Sequence, residues 1–510
     1  MTRWTTLGRY AAILAAAAFF TALSFPRTDW WLTPWALVTP LLVVAVFTPP
    51  RAAFWWGLLY GGVFFLVLLR WLNFTFRVYS TIPGPLVLLP TMLLAGYCAF
   101  WIGGVAWSVS RVAARWSIAR ALVLAPFIWV AAEWLRGHLF GGFPWGTLGY
   151  SQYLELRVIQ IAELGGVHAV SFLLVAVNAA LAGCLLLTWR RAVAGSVAAG
   201  LLVLATLGFG DARLHDSTAR PTTRVTLMQP SIEQPVKSEP QHTVDTLSIY
   251  FALTRQAAGE RPDLLVWPET ALPSILRADP QLVASLRALS AELHTPLVIG
   301  SLDAEGNPPR FRNSAFVLTE EGIVGRYDKI HLVPFGEFVP LSGVIGFVRG
   351  WAEFISELES GTRTVVFQGP PAPYGVVICY EGIFPDLVRD FVRNGARLMV
   401  NMTNDAWFGR TSGPEQHLGM YPFRAVEHRV SVVRAANTGV SAFITPNGHI
   451  LRRMNLYERG LLTESVPLRV GKTLYTRLGD WPGLLALAIS AVALALTRPA
   501  SRVPENPDAR

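Results

Sequence analysis

Charge is what this chain has least of. Asp, Glu, Lys and Arg together make up 15% of its 510 residues, too few for a solvated, disordered polypeptide. Cysteine is scarcer still. Cys98, Cys184 and Cys379 form an odd set, which excludes a disulfide scaffold; Cys98 and Cys184 sit in apolar runs and read as small packing residues. No glycine-rich phosphate loop or dinucleotide fingerprint is present, and the nine histidines lack metal-ligand spacing, so neither a cofactor nor a metal is expected. What the chain has in excess is apolar surface: 52% hydrophobic residues, 18 Trp and 28 Phe, with a mean hydropathy of +0.40. That composition indicates a membrane protein carrying a polar domain.

The formal charge of +9 has a definite location. Between residues 220 and 470, 24 Lys and Arg meet 25 Asp and Glu, so the basic excess belongs to the apolar remainder. No nucleic-acid-binding pattern accompanies it. Eight apolar stretches are long enough to cross a bilayer as helices: 8–25, 30–48, 52–72, 84–109, 119–136, 165–189, 192–210 and 481–497. Arg3 and Arg9 before the Ala-rich first stretch resemble a signal peptide, but the six spans that follow argue for a retained helix. With the N-terminus cytoplasmic, eleven arginines (Arg3, Arg9, Arg51, Arg111, Arg115, Arg120, Arg190, Arg191, Arg498, Arg502 and Arg510) lie inside. Five (Arg27, Arg70, Arg77, Arg136 and Arg157) lie outside or near outer helix ends. This bias is the one orienting charge produces. It predicts a seven-span region (1–210), an outer domain (211–480), a last span (481–497) and a cytoplasmic tail (498–510), both termini being cytoplasmic. Glu133, Glu163, His138 and His168 then fall near outer span ends and read as interfacial.

The outer domain alternates strand-like runs (RVTLMQ, DLLVWPE, PLVIGSL, SAFVLT, YGVVICYE, ARLMVNMTND and SAFITPNG) with helical patterns at 241–258, 281–293, 385–394 and 416–429. Such alternation indicates α/β layering. Asn447-Gly448 between apolar runs signals a two-residue hairpin.

Three segments of this domain are chemically loaded: WPET with Glu269, YDKIHLVPFGEFVP with Lys329 and Glu337, and VVICYEGIFPD with Cys379, Tyr380 and Glu381. A thiol is weakly ionised at neutral pH and needs a base or a nearby cation. Glu269 can take the proton. Lys329 can favour the thiolate and hold the oxyanion formed on attack, and the Tyr380 N–H is a second donor to it. Singly, each has an ordinary alternative: Cys379 as a buried strand residue, Glu269 as a helix cap, Lys329 as a solvated charge, Glu337 as a turn residue.

In combination and in this order, Glu in WPE, Lys in YDKIHLVPFGE and Cys in CYE resemble the carbon–nitrogen hydrolase (nitrilase) superfamily over roughly 220–470. Further matches run through NMTNDAWFG, EQHLGMYPFRAVEHR and RAANTGVSAFITPNG. The resemblance implies an α+β domain built as an αββα sandwich with a Glu269-Lys329-Cys379 triad. HLVPFGEFVPL, CYEGIFPD and the loop GGFPWGTLGYSQ look like the membrane-fused branch, the apolipoprotein N-acyltransferases. That likeness implies a bacterial inner-membrane protein with eight spans and a periplasmic catalytic domain. It implies ping-pong transfer of an acyl chain from a phospholipid, phosphatidylethanolamine, to the amine of a diacylglyceryl-cysteine on an apolipoprotein, with a thioester on Cys379 in between. Glu337 and Glu381 are then expected to position Lys329 or the amine, Tyr380 to shape the pocket, and the enzyme to act as a monomer. Ser238 stands where close relatives are expected to carry an aromatic residue, which puts the substrate contribution of that turn in doubt.

The segment 345–358 is apolar at helical spacing yet outside any span. Phe347, Trp351, Phe354 and Ile355 are expected either to form a lipid-facing arm or to pack as an ordinary amphipathic helix. Two other functions compete. A membrane-tethered amidase or nitrilase shares the triad but needs one tether helix rather than eight. A transporter with an inert outer domain lacks the paired Gly/Pro-broken spans it should show.

Overall fold

The computed structural model describes residues 3–216, 220–234, 240–272, 274–339, 357–369 and 372–497. The N-terminal part consists of helices α1 (Arg3–Ala22), α2 (Thr39–Phe47), α3 (Pro50–Leu68), α4 (Leu72–Tyr79), α5 (Leu89–Arg115), α6 (Ile118–His138), α7 (Leu156–Ile159), α8 (Ala162–Leu186) and α9 (Trp189–Leu214). Among the described residues, five helical stretches are long and apolar enough to cross a membrane: α3, α5 with the turn before it, α6 with the turn after it, α8 and α9. Three of the expected spans correspond to shorter apolar helices, Leu7–Ala22, Thr33–Phe47 and Trp481–Leu496.

The difference from eight uniform spans has local causes. The expected span at 30–48 carries Pro34 and Pro40, and only its second half is regular α-helix. The backbone groups this leaves open are satisfied from α8: Asn178 Oδ1 accepts from the backbone N of Val38 at 2.9 Å and Thr39 at 2.8 Å, while its amide donates to the Pro34 carbonyl at 2.8 Å. Irregular backbone at membrane depth persists where protein groups complete it. The expected span at 52–72 ends at Leu68, and the chain re-forms as the separate helix α4. α3 packs tightly on α5 because Gly57 and Gly61 lie one turn apart: a Cβ at Gly61 would stand 2.8 Å from the Ala99 Cα. Small residues at this spacing let backbones approach where no hydrophobic driving force separates protein from lipid.

The polar domain holds β1 (Thr222–Gln229), α10 (Thr243–Gln256), β2 (Leu264–Val266), α11 (Pro280–Leu293), β3 (Leu297–Glu305), β4 (Arg310–Thr319) and β5 (Gly322–Asp328). These are followed by β6 (Val366–Phe367), β7 (Tyr374–Ile378), α12 (Pro385–Arg393), β8 (Leu398–Thr403), α13 (Gly413–Leu418) and α14 (Tyr421–His428). The domain closes with β9 (Ser431–Ala436), β10 (Ala442–Ile444), β11 (Ile450–Arg453), β12 (Gly460–Pro467) and α15 (Leu474–Leu478), after which α16 (Trp481–Leu496) returns to the bundle.

The strands form two six-stranded sheets, ordered β12-β1-β2-β3-β4-β5 and β11-β10-β9-β8-β7-β6. Val225, Leu227, Val266 and Val317 of the first share one core with Val376, Ile378, Val400 and Val433 of the second. The opposite face of the first sheet, through Met228, Leu265, Ile299 and Phe316, packs on Tyr250, Leu253, Leu282 and Leu286 of α10 and α11. The period-two alternation of strand side chains thus supplies both layers of a helix–sheet–sheet–helix stack. Two expectations need correction. The 416–429 helix is broken at Gly419–Met420 into α13 and α14. The hairpin at Asn447-Gly448 exists, but its loop spans five residues: Thr445 N donates to His449 O at 3.0 Å, and Gly448 (φ +84°) donates back to Thr445 O at 2.8 Å.

Candidate active site

Three strand ends bring the loaded segments together. Glu269 stands three residues past β2, Lys329 directly follows β5, and Cys379 directly follows β7. Lys329 Nζ lies 3.3 Å from Glu269 Oε1 and 2.8 Å from Glu337 Oε1. Asn313 of β4 donates from one amide nitrogen to both carboxylates, at 2.8 Å to Glu269 and 3.2 Å to Glu337. The Asn404 backbone N–H takes the other Glu269 oxygen at 2.8 Å, and the Val333 N–H takes the other oxygen of Glu337 at 2.8 Å. Lys329 is 1% exposed and Glu269 5%, so these charges depend on one another rather than on water.

Burial pulls the Lys329 ammonium down, but the carboxylates of Glu337 and Glu269 outweigh it and hold the group well above the ordinary lysine range. It is a fixed cation. For the Cys379 thiol the balance runs the other way. Burial pushes it up, the Glu269 carboxylate pushes it further, and Lys329 opposes both without prevailing. The thiol is therefore protonated at rest. Lys329 acts on the thiol in the expected direction, pulling it down, but its charge is shared with two carboxylates and does not prevail over burial and Glu269.

Cys379 has φ +53°, a strained conformation for a residue with a Cβ. It persists because the surroundings fix the turn: the Cys379 carbonyl accepts from the Tyr421 hydroxyl at 3.1 Å and Asn401 Nδ2 at 3.4 Å. Asn401 Oδ1 in turn accepts from Arg434 at 2.6 Å, and Arg434 pairs with Asp405 at 2.5 Å. His417 Nδ1 stands 3.1 Å from Asp405 Oδ1. Although burial alone would raise the Asp405 carboxyl, Arg434 and His417 bring it down to about 2. None of Asn313, Asn401, Asp405, His417 and Arg434 was singled out from the sequence. The stretches NMTNDAWFG, EQHLG and RAANTG that hold four of them were noted, however, and were the available signal.

Glu381 makes its bonds to the turns rather than to Lys329. Its Oε1 accepts from the Tyr327 hydroxyl at 2.8 Å and the backbone N of Ile330 at 2.5 Å and His331 at 3.1 Å, and its Oε2 accepts from Ile378 N at 2.7 Å. Burial pushes its carboxyl up to about 7 against the bonds from Ile378, Tyr327 and Ile330 and the charge of Lys329. Glu381 thus ties the strand end bearing Lys329 to the strand end bearing Cys379. Tyr380 points toward the bundle: its ring packs edge-on to Phe384, and its hydroxyl lies 3.5 Å from the Gly142 carbonyl.

The membrane part reaches the site from two directions. In α4, Thr75 and Tyr79 donate to the carbonyls of Trp407 and Ala406, at 2.8 Å and 3.2 Å. From the 141–152 loop, Trp145 donates to Gln416 at 2.8 Å and packs at a tilt against Trp71, which packs edge-on to Phe408. Phe347, Trp351, Phe354 and Ile355, and also Ser238, lie outside the described residues.

Residues 17–180 match the family described as apolipoprotein N-acyltransferase N-terminal domain, and residues 224–474 match the carbon-nitrogen hydrolase family. An apolipoprotein N-acyltransferase of Geobacter metallireducens is 38% identical over 489 residues, covering 93% of this chain and 92% of its own. One from Rhodopseudomonas palustris is 34% identical, covering 89% and 87%. Among solved structures, an amidase from Nesterenkonia sp. is 21% identical with a TM-score of 0.37, covering 48% of this chain and 90% of its own.

Proposed function

Since this chain belongs to the apolipoprotein N-acyltransferase family, we propose that it moves an acyl chain from a phospholipid to the N-terminal amine of a diacylated apolipoprotein through a thioester on Cys379. The observation that carries the mechanism is the buried cluster of Glu269, Lys329 and Glu337 in electrostatic reach of Cys379. As Sγ adds to the sn-1 ester carbonyl of phosphatidylethanolamine, Glu269 takes the thiol proton. Lys329 and the Tyr380 N–H hold the oxyanion, one such donor lowering the barrier by about 3 kcal/mol. Collapse expels the lysophospholipid oxygen, which takes the proton from Glu269 and leaves a thioester. The incoming ammonium then gives a proton to Glu269 and, as a neutral amine, adds to the thioester. Collapse forms the amide; one proton returns to the departing thiolate and the other goes to solvent. Parking the acyl group on the enzyme means the two lipid substrates need not be bound together.

Glu337 fixes the lysine, Glu381 its backbone, and Tyr380 shapes the pocket. The same reading assigns residues 1–210 and 481–497 to eight spans of a bacterial inner membrane, 211–480 to the periplasm and 498–510 to the cytoplasm, with both termini cytoplasmic and the enzyme a monomer. The arginine distribution supports this orientation. So does the packing of α4 and the 141–152 loop on the domain, which keeps the site beside the apolar helices.

The test is the full chain in phosphatidylethanolamine vesicles with a synthetic diacylated lipopeptide. Triacylated peptide and lysophospholipid in equal amounts are expected, and Cys379→Ser should form neither. Free fatty acid as the main product would make the chain a hydrolase, and transfer by Cys379→Ser would refute the nucleophile.

A further inference from the structure

On the side of the domain facing the bundle, three distant parts of the chain bring metal-binding donors to one point. His138 ends α6, Asp386 lies in the first turn of α12, and Asp480 precedes α16. His138 Nε2 is 3.1 Å from Asp386 Oδ2 and 3.8 Å from Asp480 Oδ2, and all three donor atoms lie within 4.8 Å of one another. His138 Nδ1 sits 2.8 Å from the Trp134 carbonyl, a partner that only an N–H can satisfy. That fixes the proton on Nδ1 and turns Nε2 toward two carboxylates. A ring nitrogen between two anions calls for a cation.

Asp480 is held from its other side. His168 of α8 is 5% exposed, and its Nδ1 faces Asp480 Oδ1 at 3.7 Å. The same Asp480 oxygen accepts from the Tyr475 hydroxyl at 2.5 Å. One Asp480 oxygen is thus held by protein groups, and the other faces His138 and Asp386.

We propose that His138, Asp386 and Asp480 bind a divalent transition-metal ion of the zinc type, with His168 and Tyr475 orienting Asp480. Donors at the usual zinc bond lengths around a tetrahedral ion stand about 3.3 Å apart, between the two separations seen here. Imidazole with carboxylates suits zinc better than calcium or magnesium, and a histidine whose other nitrogen is anchored to a carbonyl is the usual arrangement of a ligand. Asp386 is half exposed, which leaves an entry path and a position for water. The ion joins bundle, catalytic domain and last apolar helix at one point. Sequence spacing could not reveal it, because His138 and Asp386 are 248 residues apart.

The test uses the full chain in detergent, stripped with chelator and titrated with zinc chloride, with bound metal counted by elemental analysis. One zinc per chain is expected, together with a rise in melting temperature. In Asp386→Asn, whose exposed position leaves folding intact, affinity should fall at least tenfold and the zinc-dependent melting shift should vanish; His138→Gln should behave alike. Failure of the wild-type chain to take up stoichiometric zinc would show that a proton on His138 fills the role. Equal uptake by wild type and both variants would put the metal elsewhere. Either result overturns the proposal.

Discussion

At Cys379, burial and charge work against the chemistry that the residue is proposed to perform. With the thiol held above its ordinary range, few molecules carry a thiolate at neutral pH, and reactivity depends on a base that acts as the bond forms. In Glu269→Gln that base is gone while burial, the larger cause, remains. Alkylation of Cys379 by iodoacetamide should then climb roughly tenfold per pH unit through pH 9, since only the thiolate reacts and its fraction rises until the pKa is reached. A variant whose rate levels off below pH 8 would show that burial does not raise the thiol. Glu269 and Cys379 stood out because each closes an apolar, strand-like run, and Lys329 because it sits in the dense motif YDKIHLVPFGE. Asn313 was not, since a lone amide inside RFRNSAFVLT looks like any polar strand residue. Asp405, His417 and Arg434 are individually ordinary; only folding shows that they converge beneath the Cys379 carbonyl.

Among the elements, the apolar runs marked the long helices and seven of the strands, because burial on both faces of a central strand leaves little else there. β5, β6, β9, β11 and β12 escaped. β5 contains Gly325 and Arg326, and β12 mixes Thr463, Glu464 and Ser465 into its run. β12 finds its place only by pairing with β1 from the other end of the domain. The close approach of α3 and α5 was equally hidden, because a glycine pair gains meaning only once the facing helix is known. Gly61→Leu would drive side-chain atoms into the Ala99 backbone, whereas a Cβ at Gly62 meets nothing within 4 Å. The first substitution should cost about 1–3 kcal/mol and lower the melting temperature in detergent, as overpacking does. The second should leave it unchanged, and equal melting of the two would contradict the close packing.

For the whole molecule, the sequence located the basic excess, which supports the proposed orientation, but not the joint between bundle and domain. That joint is built from charges that looked merely interfacial. Glu163 at the start of α8 receives two bonds at 2.8 Å from Arg213 of α9 and bonds at 2.8 Å and 2.5 Å from Arg429, the residue that ends α14. Glu163→Ala leaves the buried Arg429 without its acid, so a loss of about 3 kcal/mol or more is expected, as for other broken buried pairs. Faster proteolysis of the domain in the detergent-solubilised chain would register it; an unchanged digestion rate would mean the joint is held elsewhere. The account as a whole requires one covalent species. Incubated with phosphatidylethanolamine alone, the purified chain should gain the mass of one acyl group, mapped by peptide mass spectrometry to Cys379, and should lose it to an added diacylated lipopeptide. An acyl group found on another residue, or one that water removes but the lipopeptide does not, would contradict it.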